Sequence, residues 1–248
     1  MTVARALQHR KAREERARFV AEGVRTVEEL LRSPIDVDGV LLEAGATASP
    51  RVAALAAAAE ARGIAIATAD ARDFASAAGT EAPQGVLAIA RTPATALDAL
   101  PPSAARLLVL DAVQDPGNAG TILRTAAALG VSATIALPGT VDLWNAKVVR
   151  SAMGASFTHP TLVTTVDALA AFLAARGIPL WGADAQGDDV GSAAAPPTLA
   201  LAVGNEGAGL TPGVRAHCAR LVALPIAPVV DSLNVAVATG ILLYALRP

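Results

Sequence analysis

Short apolar runs bounded by turn residues alternate along this chain with longer segments of helical period, and the alternation predicts an α/β protein. The basic stretch at residues 1–25 and the segment containing VEELL read as helices. DGVLLEAG then reads as a strand, and SPRVAALAAAAEARG as a helix with Ser49 at its N-cap, Pro50 at the first helical position and Gly63 at its end. IAIAT is a strand, Ala69–Ala78 a short helix and GVLAIAR a closing strand. Between Arg91 and Arg106, three prolines without apolar periodicity mark a linker, which predicts domains at 1–92 and 106–248 joined through 93–105.

Beyond the linker the pattern is cleaner. RLLVLD (Arg106–Asp111) has the unbroken apolar character of a buried parallel strand, QDPGN is a turn, AGTILRTAAALG is a helix closed by Gly130, and VSATIAL is a second strand. TTVDALAAFLAARG is a helix with Thr164 and Asp167 spaced as a capping box and Gly177 as its stop. IPLWGAD and TLALAV are strands, followed by the glycine-rich loop GNEGAGL, a short helix from Pro212, the strand RLVAL and a final helix from Ser232 to Leu246.

Composition narrows the function classes. Of the 248 residues 53% are hydrophobic and 17% charged, which excludes a disordered tail or a basic nucleic-acid coat. No apolar run reaches the roughly 18 to 20 residues of a spanning helix, so no membrane partner is expected. A single cysteine, Cys218, and three histidines exclude an intramolecular disulfide and argue against a Cys/His metal site. A cytoplasmic location follows. The net charge of -2 hides an asymmetry, because residues 1–25 hold seven basic and three acidic side chains. That arm reads either as a phosphate-contacting element or as a solvated helix braced by Glu/Arg pairs. Arg124 and Arg150 are the arginines the acidic remainder offers to a site.

Three polar clusters interrupt the apolar background at strand ends, where open α/β sheets bind ligands. In QDPGNAGTILRT, Asn118 sits at the expected helix N-cap, and Arg124 is a guanidinium within an apolar helix that snorkels or meets an anion. In VGNEGAGL, Glu206 is the one charge of a glycine-rich loop whose order fits neither a dinucleotide fingerprint nor a P-loop. In the third, Asp231, Ser232 and Asn234 precede an apolar helix, with Ser232 as its expected N-cap. No G-x-S-x-G surrounds Ser232, which argues against a serine hydrolase, and His159 before Pro160 reads as a turn residue.

In that order and spacing, NAGTILRTAAALG, GNEGAGL and SLNVAVATGILLYAL resemble the three motifs of the SpoU or TrmH family of the SPOUT class, RNA 2′-O-ribose methyltransferases. KVVRSAMGASF (Lys147–Phe157) is similar to the family segment between motifs one and two. RFVAEGVRTVEELL is similar to the opening of the family's small substrate-binding domain. The resemblance implies a C-terminal SPOUT domain with a parallel sheet and trefoil knot, preceded by a small α/β domain of ribosomal-protein L30e-like type. It also implies S-adenosylmethionine as cofactor, a homodimer and an RNA partner, ribosomal before transfer RNA, with guanosine as the nucleotide. By motif position it implies catalytic roles for Asn118, Arg124, Glu206, Ser232 and Asn234, and cofactor contacts at Gly204, Leu224, Ile226 and Leu233. Pro228 and Ala236 depart from the family pattern, where relatives often have Gly and Ser.

The implied reaction moves a sulfonium methyl to a ribose 2′-oxygen. A guanidinium holds its proton tightly at neutral pH, so Arg124 is read as gripping the adjacent phosphate and stabilising the developing alkoxide, with Asn118 orienting it and Glu206 fixing a loop or Asn118. The competing readings are a non-catalytic RNA-binding protein of ribosome assembly with the same fold and a transfer-RNA methyltransferase. A nicotinamide enzyme fails on the absent fingerprint.

Overall fold

The computed structural model describes residues 1–80, 82–102 and 105–247, which form two compact units. Ser103 and Ala104 of the expected linker lie outside the described residues. The first unit comprises residues 1–93 and 142–158, the second 94–141 and 159–248.

In chain order the first unit begins α1 (Thr2–Ala6), α2 (Arg10–Arg16), β1 (Arg18–Glu22), α3 (Val24–Arg32), β2 (Val37–Glu43), α4 (Pro50–Ala61), β3 (Ile66–Ala69), α5 (Ala71–Ala77) and β4 (Val86–Arg91). Its sheet has the order β1-β4-β2-β3, with β4 antiparallel to both neighbours and β3 parallel to β2. Alternating strand residues point to opposite faces. Val40 and Leu42 of β2 join a core with Phe19, Val27, Leu30, Val52 and Leu55, whereas Leu41 joins Ala4, Leu7, Phe74 and Leu87 on the other face.

The basic arm is folded into this unit rather than free. Arg5 pairs with Asp73, Arg10 with Glu14, and Arg18 with Asp38. Arg13 is 6% exposed, donates from Nε to Asp142 at 2.6 Å, and donates from Nη1 to the carbonyls of Leu7 and Gln8. The strand β1 is a departure from the helix expected across residues 1–25. Its Phe19 and Val20 face the two cores on opposite sides, which overrides the helical pattern of the flanking Arg and Glu residues.

The second unit contains β5 (Arg106–Leu110), α6 (Pro116–Ala128) and β6 (Ala133–Ala136). The chain then crosses to the first unit for α7 (Ala146–Ser151) before returning with β7 (Thr161–Val163), α8 (Val166–Arg176) and β8 (Leu180–Asp189). The remaining elements are β9 (Leu199–Val203), α9 (Pro212–His217), β10 (Arg220–Ala223) and α10 (Val235–Ala245). The six strands run in the order β10-β8-β9-β5-β6-β7, all parallel. Helices cover both faces, so the strands carry the near-continuous apolar runs of a doubly covered sheet. Leu107, Val109, Ile135 and Ala200 pack with Leu169 and Leu173 of α8 and Val214 of α9. α10 packs against α6 and β9.

Several cap assignments differ from the sequence pattern. Thr165, not Thr164, caps α8 by accepting from the Ala168 N–H, and Gly177 closes that helix in the left-handed region at φ 62°. Asp115 caps α6 and Asn234 caps α10, which moves Asn118 into the first turn of its helix and leaves Ser232 ahead of its own. His159 lies in the bend ahead of β7 as expected, and its side chain is buried and bonded to Thr134 Oγ1 at 2.8 Å; burial pushes its pKa down to about 4.

Candidate active site

From β5 the sheet order grows through β6 and β7 in one direction, and from β9 through β8 and β10 in the other. The order therefore reverses between the adjacent strands β5 and β9. Ligand sites of open parallel sheets lie at such a reversal, beyond the carboxyl ends of the strands. The loops that follow are residues 111–115 after β5 and 204–211 after β9, which carry the first two polar clusters.

The loop after β9 is a tight hairpin in which Asn205 and Gly209 exchange two backbone hydrogen bonds of 2.9 Å. The side chain of Asn205 holds it from within, with Oδ1 accepting from the N–H groups of Gly207 and Ala208 and Nδ2 donating to the carbonyl of Ala112. A Cβ at Gly204 would stand 2.2 Å from the Gly209 carbonyl carbon, so only glycine permits this closure. Buried Asp111, at the end of β5, ties down the far side of the loop by accepting from the backbone N–H and hydroxyl of Thr211.

Glu206 leaves this hairpin towards the loop after β5. Its carboxylate accepts from the N–H groups of Gln114 and Asp115 at 3.3 and 3.2 Å and from Asn118 Nδ2 at 3.0 Å. Burial pushes the Glu206 pKa up, but the hydrogen bonds from Asn118 and the backbone outweigh it and hold the carboxyl below its ordinary value. Asn118 Oδ1 in turn accepts from Asn234 Nδ2 at 2.9 Å, and Asn234 Oδ1 caps α10 through the N–H groups of Ala236 and Val237. Both ends of this row are chemically fixed, because an ionised carboxylate only accepts and helix N-terminal amides only donate. Each amide between them therefore has one orientation.

Glu206 also lines a cavity of about 160 Å³, together with Gly204, Leu224, Ile226, Ser232 and Leu233. All four residues expected at the cofactor thus meet at one cavity. Its walls add Asp184 of β8, whose carboxylate is held by Arg215, and Asp231; among the described residues no Arg, Lys or His side chain lines it. Apolar walls with acidic groups fit a ligand that presents an aromatic face and a net positive charge, as S-adenosylmethionine does through its adenine, ammonium and sulfonium.

The structure therefore brings together Asn118, Glu206 and Asn234 directly, and places Ser232 with Glu206 at the cavity wall. Arg124 stands apart from that row. It lies on α6, exposed, without an ion pair or side-chain hydrogen bond among the described residues. Sequence reasoning missed Asp111, Asn205 and Asp184. Asn205 had a local signal, since Asn ahead of Glu-Gly is a turn former; Asp111 and Asp184 act on partners 100 and 31 residues away, and nothing in their neighbourhood marks them.

Among the described residues no helix is long and apolar enough to cross a membrane, and no group of three or more His, Cys, Asp or Glu is placed to hold a metal ion.

Comparison with known proteins agrees with this geometry. The sequence model of the SpoU rRNA Methylase family matches residues 105–244, and that of the MRM3-like substrate binding domain matches residues 3–88. The chain is 34% identical over 242 residues to the 23S rRNA (guanosine(2553)-2′-O)-methyltransferase RlmP of Bacillus subtilis, across 97% of this chain and 93% of the relative. Among solved structures, an AdoMet-bound rRNA methyltransferase from Sinorhizobium meliloti superposes with a TM-score of 0.86 at 30% identity, covering 99% of this chain and 93% of that one. The SpoU methyltransferase AviRb from Streptomyces viridochromogenes, solved with AdoMet, gives a TM-score of 0.87 at 28% identity, with 99% and 96% covered.

Proposed function

This chain belongs to the SpoU rRNA methylase family, and from that premise we propose that it transfers the methyl group of S-adenosylmethionine to the 2′-oxygen of a guanosine in 23S ribosomal RNA. The observation that carries this reading is the fixed row Glu206–Asn118–Asn234, drawn from three separate segments, whose carboxylate end lines a cavity that suits the cofactor.

The cofactor supplies an electrophilic methyl on a sulfonium. The chain's own residues place the acceptor. Leu224, Ile226 and Leu233 offer apolar contact to the adenine, and the Gly204–Gly209 hairpin brings backbone groups to the cavity. With Asn118 locked by its neighbours, its polar atoms are pre-aimed, so no reorientation is required as charge develops on the ribose oxygen. Arg124, uncommitted within the described residues, grips the phosphate next to the target ribose and stabilises the alkoxide as the hydroxyl proton passes to water. Ser232, released from capping, hydrogen-bonds substrate or cofactor at the cavity wall.

Val237, Ile241 and Tyr244 are exposed on α10 at spacings of four and three, a single apolar face continued by Val229 and Val230. This face supports a homodimer closed through α10. The protein is placed in the cytoplasm, with its RNA.

The test is twofold. Calorimetry with S-adenosylmethionine should give saturable binding, and methylation mapping on 23S ribosomal RNA should show a single ribose that loses its methyl in a deletion strain. Arg124→Ala should lower methyl transfer by on the order of a hundredfold while leaving cofactor affinity unchanged. Absence of cofactor binding would move the protein to the non-catalytic assembly reading, and a methyl found only on transfer RNA would move the substrate.

A further inference from the structure

A second cavity, of about 270 Å³, lies wholly within the first unit. It is lined by Arg25 near the start of α3, Arg150 in the last turn of α7, and the polar side chains of Thr26, Thr80 and Gln84. The two arginines are 125 positions apart in the chain. What brings them to one cavity is the excursion of residues 142–158 into the first unit. Val149 and Phe157 of that excursion are buried in the same core as Phe19, and the rings of Trp144 and Phe157 lie 4.5 and 6.0 Å from that of Phe19. Met153 and Gly154 turn the chain through the left-handed region beside α3, so closely that a Cβ on Gly154 would stand 2.9 Å from Glu29.

The charges around this cavity are unequal in a telling way. Its carboxylate, Glu22, is buried and already committed, accepting from the Gly79 N–H and the Thr80 hydroxyl. Glu28 and Glu29 on α3 are paired with Arg51 and Arg32. Arg25 and Arg150 are both exposed, and neither has an ion pair or side-chain hydrogen bond among the described residues. Elsewhere in the same unit Arg5, Arg10, Arg13, Arg18 and Arg51 are held by carboxylates; Arg16 and Arg72 also have no ion pair among the described residues, but neither lines this cavity. Two guanidinium groups facing one cavity repel each other unless an anion lies between them, and a guanidinium fork matches phosphate oxygens.

We propose that Arg25 and Arg150 together grip one phosphodiester of the RNA substrate, which makes the excursion 142–158 part of the substrate-reading surface although its sequence falls inside the methyltransferase segment. The proposal rests on the reading of the chain as an RNA methyltransferase and adds to it a specific anchoring site.

Filter binding of unmodified 23S ribosomal RNA transcript over a potassium chloride series tests it, with cofactor affinity by calorimetry as the check on folding. Arg25→Ala and Arg150→Ala should each weaken RNA binding by about tenfold and flatten the plot of log affinity against log salt by about one contact. The double variant should fall well short of a hundredfold, with the slope still reduced by about one, because a shared phosphate is lost once. Arg→Lys at either position should restore the slope, which a merely structural role would not do. Single variants that bind like the wild type overturn the proposal, as does a double variant whose losses multiply and whose slope falls by two. Tight binding of inorganic phosphate that both substitutions abolish overturns it in favour of a free anion. Wild type that fails to bind the transcript removes this proposal and the substrate reading together, whereas equal binding by wild type and variants removes this proposal alone.

Discussion

The polar groups of the two units are handled in opposite ways. In the second unit one row of polar groups is saturated: Glu206 accepts from Asn118 and two backbone amides, Asn118 from Asn234, and Asn234 from the start of α10. In the first unit many arginines are committed, with Arg13 the most buried, whereas Arg25 and Arg150 at the second cavity are open. The difference fits the roles proposed for the two regions. Stabilising a charge that appears only during reaction requires dipoles already fixed in place, which saturation provides. Capturing a charged polymer from solution requires valences left free for it.

Breaking the saturated row should give the largest effect. Glu206→Gln replaces a pure acceptor by a group that also donates, so the orientation of Asn118 loses its reference. Methyl transfer should fall on the order of 10²- to 10³-fold, measured by single-turnover incorporation of labelled methyl. The same variant tests the charge itself. Because the folded pKa of Glu206 lies below its ordinary value of 4.5, its contribution to stability is present above that pH and is lost as the pH falls through the folded value. The stability difference between wild type and Glu206→Gln should therefore shrink on acidification below about 4.5.

A committed arginine provides the next contrast. Arg13→Ala leaves Asp142 and two carbonyls without their donor in a buried place, and should cost about 3 kcal/mol in denaturant unfolding. Arg25→Ala, on an open arginine, should stay within about 0.5 kcal/mol of wild type in the same measurement. If the two variants unfold alike, the division between committed and open arginines is void.

A smaller effect comes from His159, whose folded pKa of about 4 lies under its ordinary 6.5. Here too the stability is present above the unfolded value and declines as pH falls from 6.5 towards 4, since the unfolded chain then binds a proton that the folded one refuses. Unfolding free energy should drop by about 2 kcal/mol between pH 7 and pH 5 from this group, and His159→Gln should remove that part of the decline.

Much of this was legible in the chain. The apolar runs at 106–110, 133–136 and 199–203 announced a buried parallel sheet because doubly covered strands carry no polar face. The clusters at Asn118, Glu206 and Asn234 stood out because charge and amide are rare in such surroundings. What could not be read was which group caps which helix, since Asp115 and Asn118, or Ser232 and Asn234, are equivalent until backbone geometry chooses. Nor could the sequence place residues 142–158, whose attachment depends on Phe19 meeting Phe157 across 138 positions.

The row from Glu206 through Asn118 to Asn234 also sets when this protein can work. Its links span 88 and 116 positions, and its last member belongs to the final helix. Contacts of that separation form only after the intervening chain has been ordered. A partly synthesised chain, however well folded its first unit, has no aligned Asn118. In the proposed reaction such a chain methylates no RNA, so the onset of methylation reports that folding of the second unit is complete.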